Sequence, residues 1–274
     1  MASLFDLTGK VAIVTGSTKG IGLGIAARFA EHGARVAISS RRQADCKAVA
    51  RTLNERQGRE IALPVAADLA DPASLEQLVA ATVDRWGALD ALVLNAAKAD
   101  VQGLEADTPP DVFAEMLTVN IVNNFRLANA AFPHLRVQGG SVTFITSIAA
   151  TGPSLAAAAY GIAKRGLHQL VDNLALEWGD HGIRVNAIAP GVTVSENTRI
   201  LWQNEQVRTA LSAATPLGRM GEPDDVAACA VYLASQGGAF VTGQTIVVDG
   251  GMTLRGAATR SKDTIRSAFE AKPA

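Results

Sequence analysis

The sequence predicts one α/β domain built on a doubly wound, parallel, seven-stranded sheet with helices on both faces. Three observations carry this. Short continuous apolar runs alternate with longer amphipathic helical patterns along nearly the whole chain. A glycine-rich turn follows the first run directly. No linker, repeat or low-complexity tract divides the alternation.

The strand-like runs lie at 11–15, 35–39, 61–65, 91–94, 142–146, 184–188 and 245–248. Each is short and continuously apolar, as expected of a strand buried on both faces. Helical patterns fill the gaps at 21–32, 44–56, 72–86, 110–132, 157–178 and 224–234. Parallel strands joined through such helices require right-handed crossovers, which yields the doubly wound arrangement. Two segments fall outside the alternation. An insertion at 194–215 is expected to form a substrate lid within the domain, which spans 1–253, and residues 254–274 form a C-terminal tail.

Hydrophobic residues make up 48% of the 274 residues and charged residues 19%, enough apolar material to fill a large core. The net charge of -1 and the absence of a Lys/Arg run argue against a nucleic-acid partner. The most apolar stretch, 155–163, is too short to span a bilayer, so no membrane partner is expected. Residues 1–10 show no basic segment followed by an apolar one, which points to a cytoplasmic protein. Cys46 and Cys229 form no CxxC pair and sit near no His cluster, so they are expected to be free thiols and no metal site is expected.

The first strand runs into Thr15-Gly16-Ser17-Thr18-Lys19-Gly20-Ile21-Gly22 at the start of a helix. Glycines there let the backbone turn sharply and approach a pyrophosphate. The helix N-terminus then offers free N–H groups and a positive dipole end. This is the phosphate-binding junction of a Rossmann-type fold, although a glycine turn alone can also be purely structural. The second strand ends in Ser40-Arg41-Arg42, where a dinucleotide fold selecting NAD carries an acid. Ser40, Arg41 and Lys19 instead suit the 2′-phosphate of NADP, against the alternative of a solvated basic turn. Asp68, after the third strand, is placed to accept from an adenine amino group or to cap the next helix.

Tyr160 and Lys164 stand four apart in a helical pattern and so share a face. A free phenol ionises near pH 10, and a neighbouring ammonium is expected to lower that value and make Tyr160 a general acid or base. Tyr160 taken alone reads equally as a half-buried helix aromatic. Ser147, at the end of the fifth strand, lies where ligands sit in open α/β sheets, and its hydroxyl can donate to a substrate oxygen beside Tyr160.

Together these residues resemble the short-chain dehydrogenase/reductase family over residues 7–253. The supporting motifs are Thr15–Gly22, Asp68-Leu69, Val119-Asn120, Ser147, Tyr160-x-x-x-Lys164, Pro190-Gly191 and Val248-Asp249-Gly250-Gly251. The resemblance implies an NADP-dependent oxidoreductase interconverting a carbonyl and a secondary alcohol. Tyr160 would be its acid/base, Ser147 its carbonyl anchor and Lys164 its ribose clamp and tyrosine activator. Asn120 would hold a water linking Lys164 to solvent. Pro190, Gly191, Val192 and Thr193 would contact the nicotinamide. Asn95, Ala96 and Ala97 stand where the family often has Asn-Ala-Gly, so Ala97 replaces a glycine near the cofactor. Ser195 stands where a threonine commonly contacts the carboxamide, with Thr193 as a nearby substitute.

The rivals are an extended-branch epimerase, which would show GxxGxxG and a longer C-terminal substrate domain, and a non-catalytic NADP-binding scaffold, expected to lack Tyr160 or Lys164. The helices around 120–132 and 157–178 are apolar on more than one face, so a homotetramer is expected. Residues 148–159 are small and uncharged, and the lid offers Ile200, Leu201, Trp202, Val207 and Leu211. Such walls suit an uncharged, fairly hydrophobic ketone or aldehyde, with Glu196 and Arg199 the nearest charges.

Overall fold

A computed structural model describes residues 3–99, 105–153 and 157–254. The expected tail beyond 254 and residues 154–156 of the expected pocket wall lie outside the described residues, as do the side chains of Ala158 and Ile200. Strands β1 (Val11–Thr15), β2 (Arg35–Ser40), β3 (Ala62–Ala66), β4 (Ala91–Leu94), β5 (Gly140–Ile145), β6 (Ile183–Pro190) and β7 (Thr245–Val248) form one sheet in the order 3-2-1-4-5-6-7. Every neighbouring pair is parallel; Ile13 of β1 registers with Ala37 of β2 and Leu92 of β4. The chain reverses its direction of travel across the sheet between β1 and β4, which is where a doubly wound sheet opens its binding crevice.

Two helical layers cover the sheet. Helices α1 (Gly20–Glu31), α2 (Gln43–Gln57) and α9 (Pro223–Ala234) bury Ile25, Phe29, Leu53 and Val231 against Ala12, Val14, Val36 and Ile38. On the other face, α3 (Pro72–Trp86), α5 (Asn123–Leu135) and α6 (Ala158–Trp178) bury Leu78, Leu127, Leu167 and Val171 against Ile13, Leu92, Val142 and Phe144. Successive residues of β1 thus enter opposite cores, which is why its sequence is apolar throughout.

Three segments depart from the sequence expectation. The helix expected at 110–132 is α4 (Pro110–Leu117), a π-helical turn over Thr118–Val122, and then α5, which runs through Pro133 to Leu135. The π turn is a single turn held within an otherwise continuous helical run, Asn123 N donating to Thr118 O. The insertion at 194–215 contains two helices, α7 (Arg199–Gln203) and α8 (Glu205–Ala214). β6 runs on to Pro190, because Gly191 N still donates to Val248 O at 2.9 Å. No helix among the described residues is long and apolar enough to cross a membrane.

Candidate active site

The crevice is built from the ends of β1, β4, β5 and β6. After Thr15 the chain turns through Gly16 and Gly20, both at positive φ, and enters α1. A Cβ on Gly22 would lie 2.3 Å from Gly16 O and 2.5 Å from Asn95 Nδ2, so only glycine permits this approach. The N-cap Lys19 makes no side-chain capping bond and the first turn of α1 carries no acid. Its N–H groups therefore remain available to an anion.

The turn is fixed from β4. The Thr15 hydroxyl accepts from Asn95 N and Ala96 N, both at 2.9 Å, and Asn95 Nδ2 donates to Thr15 O at 2.9 Å. Ser17 is fully buried and its hydroxyl accepts from Ser39 N at 2.9 Å, so its side chain holds β2 and only its backbone faces the turn. Ser40 Oγ lies 3.4 Å from Cys46 Sγ. Arg42 is drawn to Asp45, its Nε 2.7 Å from Oδ2, whereas Arg41 is exposed and makes no ion pair among the described residues.

Asp68 does not cap α3. Asp71 does, accepting from Ala73 N at 3.1 Å, while Asp68 Oδ1 accepts from Ala70 N at 2.9 Å in the loop ahead of it. Leu69 is buried there, and its carbonyl accepts from Asn123 Nδ2 at 2.8 Å. Sequence reasoning missed Asn123, whose role depends on which loop α5 meets.

Asn120 sits in the π turn with no exposure. Its Oδ1 accepts from Lys98 N at 3.0 Å and its Nδ2 donates to Lys98 O at 2.9 Å, tying down the loop after β4. Its own carbonyl accepts from Asn124 Nδ2 at 2.8 Å, and Asn124 Oδ1 is left as the one buried side-chain N or O atom without a partner among the described residues.

Ser147 lies two residues beyond β5 and caps a short 3₁₀ turn, Ile148–Ala150, by accepting from Ala149 N at 3.1 Å. Tyr160, in the first turn of α6, is near enough to Ser147 for the serine hydroxyl to pull its pKa down. Lys164 is almost fully buried; its Nζ donates to Ile145 O at 2.7 Å and stands 5.6 Å from the Tyr160 ring centre. Burial pushes the Tyr160 hydroxyl up to about 12, against a smaller pull from Ser147, and pushes Lys164 down to about 8. Burial, rather than the Lys164 charge, is the largest influence on the Tyr160 hydroxyl here. In this arrangement desolvation dominates both groups, disfavouring the charged form of each.

The family model described as Enoyl-(Acyl carrier protein) reductase matches residues 16–253. Dehydrogenase/reductase SDR family member 4 of Bos taurus is 35% identical over 252 residues, covering 92% of this chain and 90% of that protein. The chain belongs to the short-chain dehydrogenase/reductase family. Two solved family structures superpose closely. A gluconate 5-dehydrogenase from Burkholderia cenocepacia J2315 in complex with NADP and tartrate gives a TM-score of 0.86 at 31% identity, covering 92% of this chain and 98% of that one. The Pseudomonas aeruginosa RhlG/NADP complex gives 0.85 at 35% identity, covering 92% of this chain and 99% of that one. Membership makes the chain an oxidoreductase of the NAD(P)-using kind.

The remaining wall of this dehydrogenase/reductase crevice follows β6. A Cβ on Gly191 would lie 2.8 Å from Asp249 Cα, so the chain after Pro190 must be glycine to pass the turn after β7. Val192 O accepts from Gly221 N at 3.0 Å, and Thr193 is buried with its hydroxyl donating to Gly191 O at 3.2 Å. Ser195 N donates to the Thr198 hydroxyl at 3.0 Å, and Trp202 Nε1 donates to Ser195 O at 2.8 Å. The Ser195 Cβ also lies 3.2 Å from where a Gly20 Cβ would stand, so the start of the 194–215 insertion rests beside the glycine turn. Leu201, Trp202, Val207 and Leu211 are only half-buried, so the insertion keeps apolar surface unspent. A groove of about 600 Å³ along the outer edge of β3, lined by Gln43, Pro64, Ala81 and Arg85, contains none of these residues.

Proposed function

We propose that the chain is an NADP(H)-dependent oxidoreductase that interconverts a carbonyl compound and a secondary alcohol, with Tyr160 as its acid/base. The observation that carries this is buried Lys164, anchored to Ile145 O two residues before Ser147 and 5.6 Å from the Tyr160 ring, at the same sheet edge as an uncapped, acid-free helix N-terminus. Both halves of the chemistry then share one crevice.

The residues present fit a dinucleotide. The turn from Gly16 to Gly22, with Ser17, Thr18, Lys19, Gly20 and Ile21, would hold the pyrophosphate through backbone N–H groups. Ser40, Arg41 and Arg42 would take the 2′-phosphate, and Asp68 and Leu69 the adenine. Asn95, Ala96 and Ala97 would flank the ribose, and Pro190, Gly191, Val192, Thr193 and Ser195 the nicotinamide. When bound, this group supplies or accepts the hydride. Tyr160 donates its proton to the carbonyl oxygen in reduction and takes the alcohol proton in oxidation. Ser147 holds that oxygen beside Tyr160. Lys164 clamps a ribose hydroxyl and, when protonated, favours the phenolate. Asn120, whose side chain fixes the loop after β4, would hold a water that links Lys164 to solvent.

The lid's half-buried apolar side chains support an uncharged, fairly hydrophobic ketone or aldehyde as substrate. A homotetramer is supported by the exposed apolar side chains Val122, Phe125, Ile162 and Leu176 around α5 and α6. The decisive experiment is Tyr160→Phe assayed on a carbonyl and alcohol panel. A loss in kcat of roughly 10²–10⁴-fold with unchanged coenzyme binding is expected. Near wild-type turnover in the folded variant overturns the assignment, and no turnover by the wild type on any substrate favours the scaffold reading.

A further inference from the structure

We propose that Arg165 and His168 are positioning residues that hold the Ser147 turn against Tyr160, acting through the Ala150 carbonyl and the Thr146 hydroxyl; this rests on the chemistry proposed above. Ser147 lies beyond the last residue of β5, and its own side-chain bond to the backbone, from Ala149 N, is local. The turn it opens is closed by two further local bonds, Ala150 N to Ser147 O at 2.9 Å and Thr151 N to Ile148 O at 3.0 Å, and leads into exposed Thr151, Gly152 and Pro153. Local bonds fix the shape of a turn but not its placement relative to a helix in another part of the chain.

That placement comes from α6, which reaches this stretch at three points. Lys164 Nζ donates to Ile145 O at 2.7 Å, on the strand side of Ser147. His168 Nε2 lies 3.1 Å from Thr146 Oγ1, the residue immediately before Ser147. Arg165 Nη1 donates to Ala150 O at 2.9 Å, three residues after it. The Thr146 hydroxyl also reaches Ile188 O at 3.0 Å, and in donating there it keeps a lone pair free to accept from a His168 Nε2–H. The helix also sits directly on the turn, since a Cβ on Gly161 would lie 3.3 Å from Ala149 O. Tyr160 begins the helix that makes these contacts. The Ser147–Tyr160 separation is therefore set by one rigid element, gripping the backbone on both sides of the serine. Misplacement by about 1 Å of a group that must meet the reacting atoms costs on the order of 10²-fold.

The test is a double-substitution cycle reading kcat, coenzyme Kd and melting temperature. His168→Leu and Arg165→Met remove each grip; His168→Gln and Arg165→Lys keep a donor in place. Each removal is expected to lower kcat roughly tenfold or more with coenzyme Kd unchanged, and each conservative variant to restore most of the loss. On a Ser147→Ala background the same removals are expected to change kcat little, because the group they position is gone. Equal fold-losses with and without Ser147, or full kcat in folded His168→Leu and Arg165→Met, overturn the proposal. Full kcat in Ser147→Ala would instead overturn the underlying chemistry and the proposal with it, and so separates the two failures.

Discussion

Replacing Arg41 by alanine isolates the charge that is proposed to set coenzyme preference. β2 ends without a carboxylate, so nothing at Ser40 repels a 2′-phosphate. Of the two arginines that follow, Arg42 already spends its guanidinium on Asp45, at 2.7 and 2.6 Å. Arg41 is exposed and makes no ion pair among the described residues, so it can turn to a phosphate at no cost in broken contacts. A hydrogen bond to a charged group contributes about 1.5–3 kcal/mol. An exposed guanidinium is screened at physiological salt, which places Arg41 at the lower end. About 1.5 kcal/mol corresponds to roughly a tenfold loss in kcat/KM for NADPH. NADH, which lacks the phosphate, should change by less than about twofold. Arg42→Ala should cost NADPH less than Arg41→Ala, because it first breaks a local ion pair. The assay is kcat/KM for both coenzymes at 50 and 200 mM salt (values set about the physiological range), where the Arg41 effect should shrink as salt rises. Equal losses for NADPH and NADH, or a larger effect at Arg42, would refute the reasoning.

Light scattering at micromolar concentration should give a tetramer mass, and a monomer mass would remove the oligomer proposal. An aryl methyl ketone should show a higher kcat/KM than a keto acid of similar length; a clear win for the acid that Arg199→Ala abolishes would make Arg199 a substrate ligand instead. Stability of the coenzyme-free protein should depend on pH through the buried pair. Lys164 titrates near 8 when folded against 10.5 ordinarily, so between those values the unfolded chain binds more protons and stability rises with pH. Tyr160 ionises near 12 when folded against 10.0 ordinarily, so its contribution falls above about pH 10. Lys164→Met should therefore melt higher than wild type near pH 7.5, by a margin that narrows toward pH 10; a margin independent of pH would count against the buried ammonium.

The strands were readable because a sheet covered on both faces needs apolar residues at every position, and β1 shows this with Ile13 in one core and Val14 in the other. The break at Asn120 was not readable. Asn120 there bonds the Lys98 backbone, twenty-two residues earlier in the chain, and periodicity carries no such information. The capping alternative for Asp68 failed for a similar reason: Asp68 and Asp71 both precede α3, and only the loop path decides which one meets its first turn. Residue type and spacing were enough to expect Ser147, Tyr160 and Lys164 at one place, since strand ends and a four-residue helical interval fix direction, and the structure does bring them near one another. They were not enough to give the protonation of the pair. A lysine near a tyrosine lowers the phenol pKa only where its charge outweighs the cost of removing both groups from water. Here the ammonium is itself destabilised by burial, and the same desolvation raises Tyr160 further than Ser147 lowers it. Without coenzyme, the tyrosine therefore keeps its proton across the neutral range, the form that the proposed reduction of a carbonyl would require, and the proposed oxidation would need alkaline pH or added positive charge in the crevice.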